Sequence, residues 1–318
     1  MTAVDDTMFA AAGTSEGAQE LRPRSELTAK EVLREVGAVL RMSEADAALL
    51  ADVESDPGED QTMIINMGPQ HPSTHGVLRL MLELKGEQVL RCKPIIGYLH
   101  TGMEKTGEQL TYMQGGTNVT RMDYLSPLNN ELAFSMAVEK LLGIDGDIPE
   151  RAVWMRMLLS ELNRMSSHLL FLATNGMDIG AVSMMLYGWR EREEVLRFFQ
   201  KVTGLRMNHN FIRPGGLAAD LPAGWRDDVL DILEMLPSRL EEYEILMNGQ
   251  PIWRERLQGV GVITAREAMA LGTSGPILRS TGVAWDLRKH MPYLRYEDVE
   301  FDVVVGRSEE HTSELQSH

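Results

Sequence analysis

An α+β fold that is mainly α, a small N-terminal β-rich region packed on a helical bundle, is predicted by two features of the sequence. Between residues 63 and 96, three short runs rich in apolar and branched residues are separated by turn formers. Beyond Gly102, apolar residues recur at helical spacing, in several stretches nearly all round the helix. With 318 residues, 43% of them hydrophobic, the chain has enough apolar material for a large core.

Residues 1–24 are small and polar without periodicity and are expected to be disordered. Thr28-x-x-Glu31 reads as a capping box ahead of Val32, Leu33, Val36, Val39 and Leu40. Ser43-x-x-Asp46 reads as the start of a second short helix, and 52–60 as an acidic linker with Pro57 and Gly58. The β-rich region, 61–100, is expected to hold strands at 63–65, 77–84 and 88–96, the last two joined in a hairpin at Lys85-Gly86-Glu87. The loop MGPQHPSTHG, 67–76, is shaped by Pro69, Pro72 and Gly76 and reads as neither strand nor helix. Helices are expected at 104–112, 129–142, 152–174, 184–203, 226–247 and 265–271, with breaks at 143–146, Gly176, 214–216 and Pro237. In the third of these, Leu158, Leu159, Leu162, Met165, Leu169, Leu170 and Leu172 leave a narrow polar stripe, as a helix buried in a bundle requires.

The formal net charge of −16 disfavours nucleic acid and anionic lipid as direct partners. No apolar run approaches the roughly 18–20 residues of a spanning helix, and the N-terminus lacks the basic and apolar regions of a secretory signal. A soluble protein, or one docked on a membrane through partners, is expected. Cys92 is the only cysteine, so no internal disulfide, self-contained iron–sulfur cluster or cysteine-based zinc site can form. The 21 methionines suit irregular apolar surfaces, whether ordinary core or buried subunit interfaces.

The strings MGPQHPSTHGVLRL (67–80), GYLHTGMEK (97–105), RMDYLSP (121–127), ELNRMSSHL (161–169), NGMDIGA (175–181), RPGGL (213–217) and TGVAWDLRK (281–289) carry a family resemblance. In this order they resemble the quinone-site subunit of respiratory complex I, the 49-kDa-type (D) subunit of the proton-pumping NADH:quinone oxidoreductase. The resemblance runs from about Met63 to Gly306 and leaves 1–60 as a variable N-terminal extension. It implies a fold like that of nickel–iron hydrogenase large subunits. Those enzymes hold their metal with two pairs of cysteines; Cys92 stands alone here, which implies that the metal site is gone and its cavity reused for quinone. The resemblance further implies activity only in the assembled complex and electrons from NADH bound in another subunit. It implies B, C, H and I subunits and other membrane-arm subunits as partners, with a peripheral place on the cytoplasmic side of the cell inner membrane. The alternative is a quinone-site or scaffold subunit of a related ferredoxin- or hydrogenase-linked membrane complex.

Quinone reduction consumes two electrons and two protons, and no redox centre is expected in this chain. An arbitrary loop histidine more often packs or faces water. By resemblance, however, His75 falls on the quinone-contacting histidine, whereas His71 is read as structural. Tyrosines are mostly packing groups with a satisfied hydroxyl, but Tyr124 matches the tyrosine that bonds the other side of the headgroup. Asp178, which reads as a turn residue just past the long helix, matches a carboxylate paired with His75, there to orient the imidazole and stabilise its charge. Glu161, Arg164 and His168, at i, i+3 and i+7, share one helix face; they suit either an intrahelical salt bridge or a buried partner. By resemblance, Arg121 and His168 lie near the terminal iron–sulfur cluster of the B subunit, where they would raise its potential and couple its reduction to proton uptake.

Residues 307–318, RSEEHTSELQSH, have no apolar period and read as the in-frame translation of a sequencing-adapter oligonucleotide. They are expected to be a non-native tail in which His311 and His318 are not ligands. The helical quinone-site domain, 101–306, is accordingly expected to be truncated at its C-terminal side.

Overall fold

A computed structural model of the chain describes residues 62–306; the expected extension at 1–60 and the expected tail at 307–318 lie outside the described residues. Of the described residues, 62–66 and 81–93 belong to one compact unit, and 67–80 with 94–306 to another.

The first unit is built on a three-stranded sheet of β1 (Thr62–Met67), β2 (Arg79–Lys85) and β3 (Gln88–Ile95), in the order β1-β2-β3. The β2–β3 turn needs only Gly86 and Glu87, with Gly86 at φ 59°, the backbone that tight hairpins demand. Met81 is the buried residue of β2, and Glu83 faces Arg91 across the hairpin at 3.8 Å.

The second unit is helical: α1 (Met103–Gly107), α2 (Tyr112–Val119), α3 (Pro127–Leu142), α4 (Glu150–Ile179) and α5 (Met184–Thr203). A two-strand ribbon, β4 (Ile212–Arg213) and β5 (Gly216–Leu217), follows and pairs antiparallel. Then come α6 (Trp225–Asn248), α7 (Pro251–Leu257), α8 (Ala265–Ala270), α9 (Gly275–Ser280) and α10 (Leu287–His290). The chain is therefore α+β and mainly α, as the periodicity predicted.

Three expected boundaries change, each for a local reason. The helix predicted over 104–112 is two helices, because Thr111 and Gln114 form a complete capping box that starts α2 afresh. Gly176 does not break α4. It is buried where α5 crosses, and a Cβ there would stand 2.7 Å from Met184 Cβ, so its smallness permits the close approach. The helix instead ends at Gly180, φ 111°. Pro237 is carried inside α6, whose buried Val229, Ile232, Leu236, Tyr243 and Met247 continue the helical repeat on both sides of it.

The core lies between α4, α5 and α6, where Leu159, Leu162, Leu169 and Leu172 meet Met184, Val195, Phe199 and Ile232. Polar residues of α4 join this core: Arg156, Ser160, Asn163 and Ser166 are buried as well. At α3, Glu131, Ser135 and Glu139 form a buried polar stripe at i, i+4, i+8 that clasps the segment 210–216. Glu131 accepts backbone N–H bonds from Asn210 (2.5 Å), Phe211 (2.7 Å) and Ile212 (2.9 Å). Glu139 pairs with Arg156 (2.6 and 3.0 Å) and accepts the Gly215 N–H at 2.8 Å. Arg156 also donates to the carbonyls of Arg213 and Gly216, at 2.9 Å each. These bonds give the RPGGL string its structural purpose.

Candidate functional site

The loop 67–76 is held from within. Gly68 has φ 85°, and a Cβ on it would fall 2.2 Å from the Leu78 carbonyl and 2.5 Å from Thr74 Oγ1, so no side chain fits. Thr74 is 1% exposed and donates its hydroxyl to the carbonyls of His71 (2.9 Å) and Pro69 (3.2 Å). His71 caps the short 3-10 turn Pro72–Thr74 by accepting the Ser73 N–H at Nδ1, 3.2 Å, a structural role of the kind expected. The turn ends at His75, whose φ of 53° is left-handed, a strained backbone for a residue with a Cβ, costing roughly 1 kcal/mol.

That backbone presents the His75 ring to Asp178: Nε2 lies 3.2 Å from Oδ2, joining residues 103 apart in sequence. Both side chains remain partly open, at 45% and 39% exposure, so the pair can still reach a ligand. Asp178 stands in the last turn of α4, not beyond it, because the helix runs past Gly176. A rigid helix end thus aims the carboxylate.

Tyr124 lies in the turn between α2 and α3. Its side chain is exposed, and its hydroxyl meets no partner among the described residues. It is not the packed, satisfied tyrosine that statistics favour, and its proton is available to a ligand.

Arg121 turns back onto α2, donating to the Thr117 carbonyl and toward Thr120 Oγ1 at 3.5 Å. His168 has different neighbours. It keeps part of its ring in solvent, yet its pKa is lowered below the ordinary histidine value, first by partial burial and then by Arg164, with Arg279 and Arg288 adding to the effect against Glu161. Glu161 makes both of the contacts its spacing allowed. It pairs within the helix with Arg164 (3.1 Å), and across to Arg288 (3.1 Å) and the Tyr296 hydroxyl (2.5 Å). Burial alone would raise the Glu161 carboxyl; Arg164, Tyr296 and Arg288 outweigh it and hold the group below its usual range. Arg288 also forks onto Asp286 (2.8 and 3.1 Å), which ties the WDLRK string to α4.

Sequence reasoning missed Glu131, Glu139, Arg156 and Asn163. The signal was there at α3, where Glu131, Ser135 and Glu139 fall at every fourth residue along one face of the helix. The partner segment 210–216 lies too far along the chain for periodicity to show. Among the described residues, no group of three or more His, Cys, Asp or Glu side chains is placed to hold a metal ion. Cys92 is a free, exposed thiol.

Residues 178–313 match the family model described as Respiratory-chain NADH dehydrogenase, 49 Kd subunit. The chain is 58% identical over 249 residues to the first D subunit of the NADH-quinone oxidoreductase of Salinispora arenicola, covering 78% of this chain and 56% of that protein. It is 57% identical over 262 residues to the D subunit of the NADH-quinone oxidoreductase of Mycolicibacterium smegmatis, covering 82% and 59%. With the corresponding D subunit of Acidothermus cellulolyticus the identity is 55% over 254 residues, covering 79% and 58%. The chain thus spans a little over half the length of these curated relatives. On these matches, the chain belongs to the family of the 49-kDa subunit of respiratory-chain NADH dehydrogenase.

Proposed function

We propose that this chain forms the quinone headgroup site of a proton-pumping NADH:quinone oxidoreductase and acts only within that assembled complex. The observation that carries the reading is the His75–Asp178 pair, 3.2 Å apart and open to solvent, drawn together from a strained loop and a helix end. Backbone strain held in place by packing is characteristic of functional loops. The fold descends from hydrogenase large subunits, with quinone occupying the former metal cavity.

The reaction needs two electrons and two protons for each quinone. The electrons come from NADH through the partners' clusters, ending at the iron–sulfur cluster of the neighbouring B subunit; this chain binds no cluster. His75 gives a proton to one headgroup oxygen and Tyr124 to the other. Asp178 holds the His75 ring in place and loses its cationic partner when that proton leaves. This electrostatic change is the candidate trigger for the pump in the membrane arm. Arg121 and His168 face the cluster and tune its potential.

The protein docks on the B and C subunits, on H and other membrane-arm subunits, and on I, at the cytoplasmic side of the inner membrane. No helix among the described residues is long and apolar enough to cross a membrane, which is consistent with attachment through partners. Tyr124→Phe tests the site, since it deletes one hydroxyl and keeps the ring. In the assembled complex, electron transfer to a soluble quinone is expected to fall about tenfold or more, with transfer to ferricyanide unchanged. Equal loss with both acceptors, or loss with neither, removes Tyr124 from the site.

A further inference from the structure

The turn that carries Tyr124 is closed by its own residues and anchored to the rest of the fold from outside. Asp123 Oδ1 accepts the Leu125 N–H at 3.1 Å, and Asn130 donates to the Asp123 carbonyl at 2.9 Å. The Ser126 N–H closes the turn on the Asp123 carbonyl at 3.0 Å, and the long-range contacts come from the middle of α4. Asn163, 2% exposed, accepts the Leu128 N–H on its Oδ1 at 2.9 Å and donates its amide to the Leu125 carbonyl at 3.0 Å. One buried carboxamide therefore satisfies a donor and an acceptor on either side of the α3 N-terminus. Ser126 gives no side-chain cap there.

The same helix ends at Asp178. Asn163 and Asp178 are fifteen residues apart on α4, about 22 Å along the axis at 1.5 Å per residue. One rigid element thus holds the Tyr124 turn at one point and the His75 ring at another.

We propose that Asn163 is the positioning residue for Tyr124: its buried carboxamide fixes the 124–126 turn on α4 and so sets the span between the phenol and His75 that the headgroup bridges. The inference rests on the reading of Tyr124 and His75 as the two ends of the headgroup site. Asn163 touches no substrate and acts only through Tyr124.

The test is a double-mutant cycle in the assembled complex, with a short-chain quinone and ferricyanide as acceptors. Asn163→Ala is expected to raise the quinone KM about tenfold and lower kcat, as the loss of one buried hydrogen-bond pair allows, with ferricyanide turnover per complex unchanged. Combined with Tyr124→Phe, it is expected to add almost nothing to the loss that Tyr124→Phe causes alone, because its effect passes through that hydroxyl. Asn163→Asp keeps the acceptor for Leu128 and sets an oxygen against the Leu125 carbonyl, so it should reproduce the quinone defect. Penalties that multiply in the double variant overturn the inference. So does unaltered quinone kinetics, an equal loss with ferricyanide, or failure of both Asn163 variants to assemble, which would assign the residue to folding. A silent Tyr124→Phe defeats the headgroup reading itself and this inference with it.

Discussion

His75 shows how much local chemistry a short string can specify. Its left-handed backbone follows from a capped 3-10 turn, a buried Thr74 and a Gly68 whose Cβ position is already filled. Those restraints could be anticipated from Pro69, Pro72, Gly68 and Gly76. The partner could not: Asp178 lies 103 residues away, and only the family resemblance pointed to it. Asp178→Asn keeps the shape of the carboxylate and removes its charge. Within the proposed site, the asparagine can still accept a bond from the imidazole but no longer stabilises its positive form. Quinone reduction is expected to drop roughly tenfold while ferricyanide reduction persists, and a paired assay of the two acceptors on membranes measures this. A quinone rate that stays at the wild-type level would separate Asp178 from the chemistry.

At the scale of elements, helix periodicity located most of α3 to α6, because each buries an apolar face that repeats along it. It failed at joints that an apolar repeat does not mark: the Thr111 capping box, the Gly176 crossing and the short helices α7, α9 and α10. The clasp of α3 on 210–216 was the largest omission, and two predictions belong to it. Glu139→Ala leaves the Arg156 guanidinium buried, 1% exposed, without its carboxylate. Breaking one side of a buried pair costs roughly 3–5 kcal/mol, so the protein should fail to accumulate at elevated temperature, as immunoblots of membranes would show. The second concerns pH. Burial pushes the Glu131 carboxyl up from 4.5 to about 7, against three backbone amides and Arg213. The native state then holds the extra proton, so this stabilisation is present below pH 4.5 and is lost as pH rises to about 7. His209, whose buried Nδ1 has no partner and whose Nε2 lies 3.1 Å from the Arg206 carbonyl, is pushed down from 6.5 to about 4, chiefly by burial. Its stabilisation is present above 6.5 and is lost as pH falls to about 4. Each contributes on the order of 3 kcal/mol, and the two oppose each other in one segment. Glu131→Gln should therefore leave 206–217 losing hydrogen-exchange protection toward acid pH, and His209→Gln should leave it losing protection toward pH 7, after correction for intrinsic exchange. Parallel profiles in the two variants would contradict the assignment.

For the whole molecule, composition excluded much and identified little: one cysteine ruled out a self-held cluster, and an acidic surface disfavoured nucleic acid. The family became legible only from the order of the strings, since no single residue type marks it. The same holds for His168, whose neighbours come from three elements: Glu161 and Arg164 on α4, Arg279 on α9 and Arg288 on α10. Partial burial and the three guanidinium groups lower its pKa, so in the proposed complex it is neutral near pH 7 while the adjacent cluster is oxidised. An arriving electron places negative charge beside it and favours protonation, and by linkage that protonation favours the electron. The cluster potential must then fall with rising pH, by at most about 59 mV per unit for one electron, between the two pKa values of the imidazole. His168→Met removes the titrating group and should flatten this slope in a redox titration followed by EPR. Arg288→Gln removes one of the cations that lower the imidazole and frees Glu161 from its bond at 3.1 Å, so the sloping region should move to higher pH. A full slope retained in His168→Met would remove this histidine from the coupling. A slope abolished there but unmoved in Arg288→Gln would leave His168 as the coupled group and show that the arginine cluster does not set its poise.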